Sequence, residues 1–273
     1  MKRQLHGKAL LILKKLTRQL PTAVLYCLLV LKLFSVASGF LKAEWQNLLF
    51  ANYAVDPNIL LPYLPFGTEL DFYKGVCYCS MVGFVFANTR VLGLKVPYHH
   101  TFEEVNLRFY VRYKDGEIWK RGVVFVKEIV PRFMISGIAN MLYGEKYMTL
   151  PMKHYRVVKE NAIELEYSWN IHGSWNYLHA TTFLTAHPLI PGSQEAYITE
   201  HYWGYNARGN YRTGEYQVAH PRWDIYPVND ISCHIDAATL YGAAFTEVLQ
   251  AKPASVFVAT GSAVSVMMGK NIR

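Results

Sequence analysis

One short stretch holds the residues best suited to contact a polar ligand. From Glu104 to Tyr113 polar and apolar residues alternate strictly, and side chains two positions apart lie on the same side of a β-strand. The polar side of this strand is either a solvated surface or the lining of a polar pocket, and composition leaves both open. It carries a carboxylate, an amide, two guanidinium groups and a phenol, namely Glu104, Asn106, Arg108, Tyr110 and Arg112.

An Asp-Gly pair fixes the register of this strand. Asp115-Gly116 separates it from a second apolar run, which extends from Ile118 to Val130. Glycine accepts the positive φ angle that a tight turn requires, so two apolar runs joined in this way predict a β-hairpin. The polar side is therefore expected to lie on a paired strand.

Other chemistries find little support in the sequence. None of the ten histidines falls in an H-E-x-x-H motif or another spacing typical of metal ligands. Residues 261–264 (GSAV) lack the second glycine of a nucleophile elbow, and no glycine-rich phosphate loop follows a predicted strand. The sequence thus predicts neither a metal site nor a cofactor.

Cysteine usage indicates a reducing compartment. The chain has four cysteines, and two of them, Cys77 and Cys79, flank Tyr78 on a predicted strand. This spacing matches neither a zinc knuckle nor an easily formed disulfide, so we expect buried free thiols.

The net charge of +8 suggests a nucleic-acid-binding protein until the charges are located. Residues 1–42 hold eight basic residues and no acidic one, and removing these eight from 28 leaves 20 basic against 20 acidic residues in 43–273. The body of the chain is therefore neutral, and we expect no nucleic-acid partner.

The basic N-terminal extension, residues 1–42, has an apolar second half, which Lys32 interrupts. A spanning helix needs about 20 apolar residues, and a lysine at its centre costs roughly 2.5–3.5 kcal/mol. Two alternatives stay open, a membrane-associated helix and a soluble extension that packs on the body. Because positive residues favour the cytoplasmic side, we expect a cytoplasmic protein that could attach to the inner face of the membrane through residues 1–42.

Residues 43–273 contain no linker or repeat and predict one α+β domain of mostly antiparallel strands. Asp56 and Pro57 predict the start of a short helix. Helices are also expected over 131–142 and 236–249. Further strands are predicted over 44–55, 76–86, 155–159, 162–170, 175–184, 196–205, 215–219, 255–259 and 264–268, the last two as a closing hairpin.

Several separated motifs resemble the YqjF-like family, the domain of unknown function numbered 2071. They occur in order over about residues 40–270: AEWQNLL at 43–49, LPYLPFGTELD at 61–71, FEEVNLRFYVR at 102–112, ITEHYWGY at 198–205 and HPRW at 220–223. This family is similar in fold to acetoacetate decarboxylase. The resemblance implies predominantly antiparallel, curved β-sheets around a central cavity, with few helices.

In that architecture strand faces alternate between the cavity and the outside, so a polar face can point inwards. Glu104, Asn106, Arg108 and Tyr110 then become candidate ligand-binding residues, with Glu200 and His201 as partners from a later strand. Such a cavity would bind a small carbonyl or carboxylate compound, because a buried guanidinium can bind a carboxylate through two hydrogen bonds. We expect a buried Arg108 to pair with a carboxylate, either Glu104 or, from another strand, Glu200. The alternative is a non-catalytic structural or membrane-associated domain whose pocket is filled by its own side chains and in which Glu104 and Arg108 form a structural ion pair.

The resemblance also raises the question of decarboxylation, which needs a lysine that forms a Schiff base. Acetoacetate decarboxylases carry two adjacent lysines, whereas Lys127 is the only lysine within an apolar strand of the body and Glu128 follows it. A neighbouring carboxylate keeps an ammonium group charged. We therefore expect that Lys127 is not a Schiff-base nucleophile.

Overall fold

A computed structural model describes residues 40–91, 93–95, 101–131 and 146–272 of the protein. Within these ranges the chain forms one sixteen-stranded sheet and four short α-helices. The helices are α1 (Pro57–Leu60), α2 (Gln194–Thr199), α3 (Ala237–Tyr241) and α4 (Thr246–Gln250). The strands are β1 (Leu41–Ala54), β2 (Thr68–Leu70), β3 (Phe72–Tyr73), β4 (Val76–Val91), β5 (Leu94–Lys95), β6 (Phe102–Asp115), β7 (Ile118–Val130), β8 (Tyr147–Thr149), β9 (Met152–Val158), β10 (Ile163–Ile171), β11 (Ser174–Thr182), β12 (Trp203–Ala207), β13 (Thr213–Ala219), β14 (Ile225–His234), β15 (Ser255–Val266) and β16 (Lys270–Ile272).

Seven of the strands close into a ring. Their order is β13, β12, β7, β6, β4, β1 and β15, and β15 pairs back with β13 where Val266 lies opposite Val218. The β7–β12 pair is parallel and the other pairs of the ring are antiparallel. From β15 the sheet continues through β14, β11, β10 and β9. The predicted class, predominantly antiparallel β-structure with few helices, is confirmed.

Strand alternation divides the buried apolar residues into two clusters. On β1, Leu48 and Phe50 belong to one cluster, whereas Leu49 and Ala51 belong to the other. The cluster of Leu48 and Phe50, the inner cluster, draws on β1, β4, β6, β7 and β15 of the ring. The other cluster includes residues of β10 and β11 together with α3 and α4. Each of these five ring strands thus presents one face to the inner cluster and the other face to the second cluster, the outer cluster.

The central hairpin forms as predicted. Asp115 pairs with Ile118, and Gly116 takes the positive φ of 61° between them. Asp56 caps α1 by accepting a hydrogen bond from the amide of Asn58, and Pro57 occupies the first helical turn. These local signals succeed because each one depends only on neighbouring residues.

The strand predicted over 196–205 is wrong. The chain first forms α2 and enters β12 only at Trp203. Ser193 caps α2 by accepting a hydrogen bond from the amide of Ala196, and Glu195 lies in the first turn. An N-cap serine with an acidic first turn is a helix signal, which the aromatic content of the segment obscured.

The C-terminal part differs from the prediction in two places. The helix expected over 236–249 starts after the Asp236 cap but breaks at Gly242, which has a φ of 97°. The hairpin expected from 255 to 268 is instead the single strand β15, because Gly261 (φ of 82°) bends the strand without reversing it. Strand β14 was not predicted, since Pro227 interrupts its apolar pattern.

Some expectations fall on parts of the chain outside the described residues. They concern the N-terminal extension before residue 40 and nearly all of the helix at 131–142. Of the extension, Leu41 and Lys42 already belong to β1. Within the described ranges, we find no helix of the length and apolarity needed to cross a membrane.

Gly261 and Gly116 provide a matched test of the β15 bend. Alanine at either site meets a positive φ, which costs about 1–2 kcal/mol, but at Gly261 its Cβ would also clash with the carbonyl oxygen of Trp45, whereas the space around Gly116 is open. We expect Gly261→Ala to lower the free energy of unfolding by at least about 1–3 kcal/mol more than Gly116→Ala in urea denaturation. Equal losses would contradict the close approach of β15 to β1.

Candidate ligand-binding site

A pocket of about 130 Å³ opens on the inner side of the ring. All seven ring strands contribute to its lining, and aromatic and aliphatic side chains predominate. The apolar walls include Leu48, Phe84, Phe86, Val123, Phe125 and Val218, and the polar residues include Glu104, Asn106, Arg108, Glu128 and His201.

Strand β6 supplies one polar wall of the pocket. Glu104, Asn106 and Arg108 alternate along it, and they are 2%, 1% and 9% exposed. Strand β7 adds Glu128, which lies opposite Asn106. Sequence analysis missed Glu128 as a site residue, although the hairpin register could have indicated it. The polar side of β6 is therefore buried around these residues and becomes solvated only near the hairpin turn, where Arg112 is exposed and paired with Glu69.

Hydrogen bonds hold the carboxylate of Glu104 in place. The Asn106 Nδ2 donates to Glu104 Oε1 at 2.8 Å, and the hydroxyl of Tyr147 donates to Glu104 Oε2 at 3.1 Å. Burial, followed by the charges of Glu104 and Glu128, raises the pKa of Tyr147 well above its usual value. Tyr147 therefore stays protonated and acts as a donor between the two glutamates.

Arg108 has no carboxylate partner among the described residues. Its guanidinium carbon lies 5.0 Å from the centre of the Phe50 ring and 5.9 Å from that of Tyr110. Its Nε is buried and has no hydrogen-bond partner in the part of the chain that the structure describes. The expected ion pair with Glu104 or Glu200 is therefore wrong, because Glu104 is engaged by Asn106 and Tyr147 and Glu200 lies elsewhere.

Tyr110 lies behind the pocket wall and not on it. Its hydroxyl is 2.6 Å from Ser80 Oγ, which in turn donates to Asn52 at 2.6 Å. Burial raises the pKa of Tyr110, and the nearby Arg108 charge opposes this shift. The Tyr110 ring lies 4.7 Å from the ring of His201. Tyr110 thus supports both Arg108 and His201 from behind.

His201 lies between α2 and β12 and lines the pocket while being 7% exposed. Its Nε2 is 3.1 Å from Asp71 Oδ2, which also accepts a hydrogen bond from Arg121 Nε at 2.6 Å. The hydroxyl of Tyr197 in α2 donates to the Asp71 carbonyl at 2.8 Å, and the Asp71 amide donates to the Tyr110 carbonyl at 3.0 Å. These bonds tie His201 to β6 through Asp71.

Burial lowers the pKa of His201 to about 4, although Asp71 opposes the shift. Burial would raise the pKa of Asp71, but hydrogen bonds from His201 and Arg121 outweigh it and lower that pKa. At neutral pH His201 is therefore neutral beside a charged carboxylate. Its proton lies on Nε2, where it donates to Asp71, and Nδ1 is left as an acceptor. Sequence analysis did not identify Asp71 as a site residue.

Glu200 and Lys127 lie outside this arrangement. Glu200 is half-buried, forms an ion pair with Arg222 and is absent from the pocket lining. Lys127 lies opposite Leu107, on the other side of β7 from its neighbour Glu128. A bulge in β7 lets Phe125 and Glu128, three positions apart, both line the pocket. Burial and then the charge of Lys146 lower the pKa of Lys127. The sequence argument expected the adjacent Glu128 to keep this ammonium group charged, whereas burial and Lys146 shift the pKa in the opposite direction. That Lys127 is not a Schiff-base nucleophile stays a prediction.

The pocket concentrates buried polar atoms that have no hydrogen-bond partner among the described residues. Such atoms are rare in native proteins, and each one costs about 1–3 kcal/mol. Those that belong to pocket-lining residues include Trp45 Nε1, Thr89 Oγ1, Asn106 Oδ1, Arg108 Nε and His201 Nδ1. In the described part of the chain, no group of three or more histidine, cysteine or acidic residues could hold a metal ion.

Solved structures define the class of fold. The chain is similar to an acetoacetate decarboxylase from Legionella pneumophila, with 14% identity, a TM-score of 0.60 and coverage of 86% of this chain and 88% of that one. An acetoacetate decarboxylase-like enzyme from Sphingomonas wittichii RW1 is 14% identical, with a TM-score of 0.62 and coverage of 87% of this chain and 94% of that one. The enduracididine biosynthesis enzyme MppR complexed with pyruvate is 12% identical, with a TM-score of 0.59 and coverage of 87% of this chain and 91% of that one. At these identities the likeness establishes an acetoacetate decarboxylase-like fold alone.

The family follows from the sequence match. The domain of unknown function 2071, described as an uncharacterized conserved protein, matches residues 42–263, and the chain belongs to this family. The Uncharacterized protein YqjF of Bacillus subtilis (strain 168) is 39% identical over 97 residues, which are 34% of this chain and 38% of that protein. The match thus spans well under half the length of that relative. The resemblance inferred from the motifs is confirmed.

The pKa of His201 predicts how stability depends on pH. Between its usual value of 6.5 and about 4, the unfolded chain takes up a proton that the folded chain does not, so stability is lost as the pH falls through this window. We expect the free energy of unfolding in urea to fall between pH 7 and pH 4.5, on the order of a few kcal/mol from this group. The variant His201→Phe should show a shallower fall. Identical slopes in both proteins would contradict a buried, neutral His201.

Proposed function

We propose that this chain binds a small organic carboxylate in the pocket of the strand ring, with Arg108 as the anchoring residue. The observation that carries the proposal is that Arg108 is 9% exposed and has no carboxylate partner among the described residues. A buried charge without a counter-charge is costly, and an anionic ligand would remove this cost.

The chemistry of the wall supports a carboxylate in particular. A guanidinium presents parallel N–H donors that match the two oxygens of a carboxylate, and such charge-assisted bonds are stronger than neutral ones. The surrounding apolar residues, among them Phe84, Phe86 and Phe125, lower the local dielectric constant and strengthen the electrostatic attraction. On this proposal Phe50 and Tyr110 hold the guanidinium from behind through their ring faces.

The size of the pocket supports a compact ligand. Its volume of about 130 Å³ is below that of pockets for drug-sized molecules. We propose that it corresponds to the central cavity expected of the fold. The similar enzyme MppR is complexed with pyruvate, a small carboxylate that also carries a carbonyl group, which supports the same ligand class here.

A structural domain with a filled interior is the alternative. Trp45, Asn106 and His201 each have a buried polar atom without a hydrogen-bond partner among the described residues. These atoms favour a ligand-binding pocket over that alternative, because a core that only packs has no use for them. Schiff-base decarboxylation gains no support, because Lys127 is absent from the pocket lining. Membrane contact through residues 1–42 and a cytoplasmic location stay predictions.

The variant Arg108→Met tests the proposal. We expect the affinity for lactate or pyruvate, measured by isothermal titration calorimetry on the full chain, to fall at least about tenfold, in line with the loss of a charge-assisted bond. We also expect unchanged or higher stability without ligand, because an unpaired buried charge is replaced by an apolar side chain of similar length.

The matched control is Arg112→Met on the same strand. Arg112 is exposed and paired with Glu69, so its loss should leave the affinity within about twofold and the stability within about 1 kcal/mol. Unchanged carboxylate binding in Arg108→Met, or a large loss of stability without ligand, would contradict the role proposed for Arg108.

A further inference from the structure

Whereas Arg108 presents hydrogen-bond donors, another part of the pocket wall presents hydrogen-bond acceptors. His201 donates its Nε2 proton to Asp71 at 3.1 Å, so Nδ1 carries a lone pair, and this atom is buried without a partner among the described residues. The Asp71 Oδ2 also accepts from Arg121 and therefore stays a carboxylate acceptor that holds His201 in this tautomer. An imidazole fixed in this way cannot donate from Nδ1.

Asn106 provides a second fixed acceptor. Its Nδ2 donates to Glu104 Oε1 at 2.8 Å, which sets the orientation of the amide. Its Oδ1 is then left buried, with no partner among the residues described by the structure. Two acceptors, from β6 and from the turn before β12, thus belong to the lining of one pocket.

Arg108 and His201 lie within reach of one small molecule. The guanidinium carbon is 5.9 Å and the imidazole centre 4.7 Å from the centre of the same Tyr110 ring, and both side chains line the pocket. Both groups thus line one pocket beside one tyrosine ring, and we expect a ligand whose carboxylate binds Arg108 to direct the group on its next carbon towards His201.

From this geometry we propose that the ligand is a small hydroxy carboxylate, whose hydroxyl donates a hydrogen bond to His201 Nδ1 while its carboxylate binds Arg108. The inference rests on the function proposed above and narrows its ligand class. Asp71 is a positioning residue, because it acts on the ligand only through the tautomer of His201.

The acceptors discriminate against the other groups that a small acid could carry. The oxygen of a 2-oxo acid has no proton, so it would face the lone pair of Nδ1 and leave that atom without a hydrogen bond. An ammonium group could also donate to Nδ1, but only at the cost of desolvating a second positive charge inside the pocket. A hydroxyl group donates without adding charge.

Three acids of equal carbon number test the inference: lactate as each enantiomer, pyruvate and propionate. They share the carboxylate and differ at the second carbon. This carbon bears a hydroxyl in lactate, is a carbonyl carbon in pyruvate and is a methylene in propionate. We expect titration calorimetry on the full chain to show that one lactate enantiomer binds at least about tenfold more tightly than pyruvate and propionate, as a site built for a hydroxyl rejects analogues that lack it.

The variant His201→Phe should remove this preference, so that neither lactate enantiomer binds more tightly than propionate. Its control is His179→Phe on β11, outside the pocket lining, which should keep the preference of the unmodified protein. The comparison of the three acids on the unmodified protein decides the ligand class even if His201→Phe does not fold.

The outcomes separate this inference from the proposal beneath it. If none of the acids binds, the carboxylate pocket itself is wrong. If all bind with similar affinity, or pyruvate binds most tightly, Arg108 keeps its proposed role and the hydroxyl-specific role of His201 is overturned.

Discussion

The pairing of β15 with both β1 and β13 is the constraint on which the rest of the structure depends. It closes seven strands into a ring, so that one face of each of these strands turns inwards. An alternating strand such as β6 must then bury one of its two faces inside the ring and the other in the outer cluster. Because the polar face is the inward one, its charged groups become the wall of a pocket instead of a solvated surface.

The inward orientation of the polar face of β6 opposes stability and supports the proposed function. Leu107 and its neighbours on the outer face of β6 pack in the outer cluster, whereas Arg108 on the inner face lies among aromatic rings without an ionic partner in the described chain. Proteins that break the rules of core packing in one place commonly do so at a functional site. The two sides of β6 therefore separate the parts of the strand that fold the protein from the parts that we propose to bind its ligand.

Local pattern made part of the site predictable. The alternation of β6 and the Asp115-Gly116 turn sufficed to group Glu104, Asn106 and Arg108 on one face, because strand direction and register follow from neighbouring residues. The Asp71–His201 contact joins residues 130 positions apart and depends on tertiary structure, so no local pattern could reveal it. The helix before His201 spans only six residues, too few for a helical period to outweigh aromatic residues typical of strands.

We propose that the buried positive charge of Arg108 binds the carboxylate of a ligand. A crystal structure of the chain with the tighter-binding lactate enantiomer would show whether it does. We expect both carboxylate oxygens at hydrogen-bond distance from the Arg108 guanidinium, about 2.7–2.9 Å, with the hydroxyl directed at His201 Nδ1. A structure in which Arg108 instead pairs with Glu104 or Glu128, and lactate lies elsewhere or does not bind, would contradict this proposal.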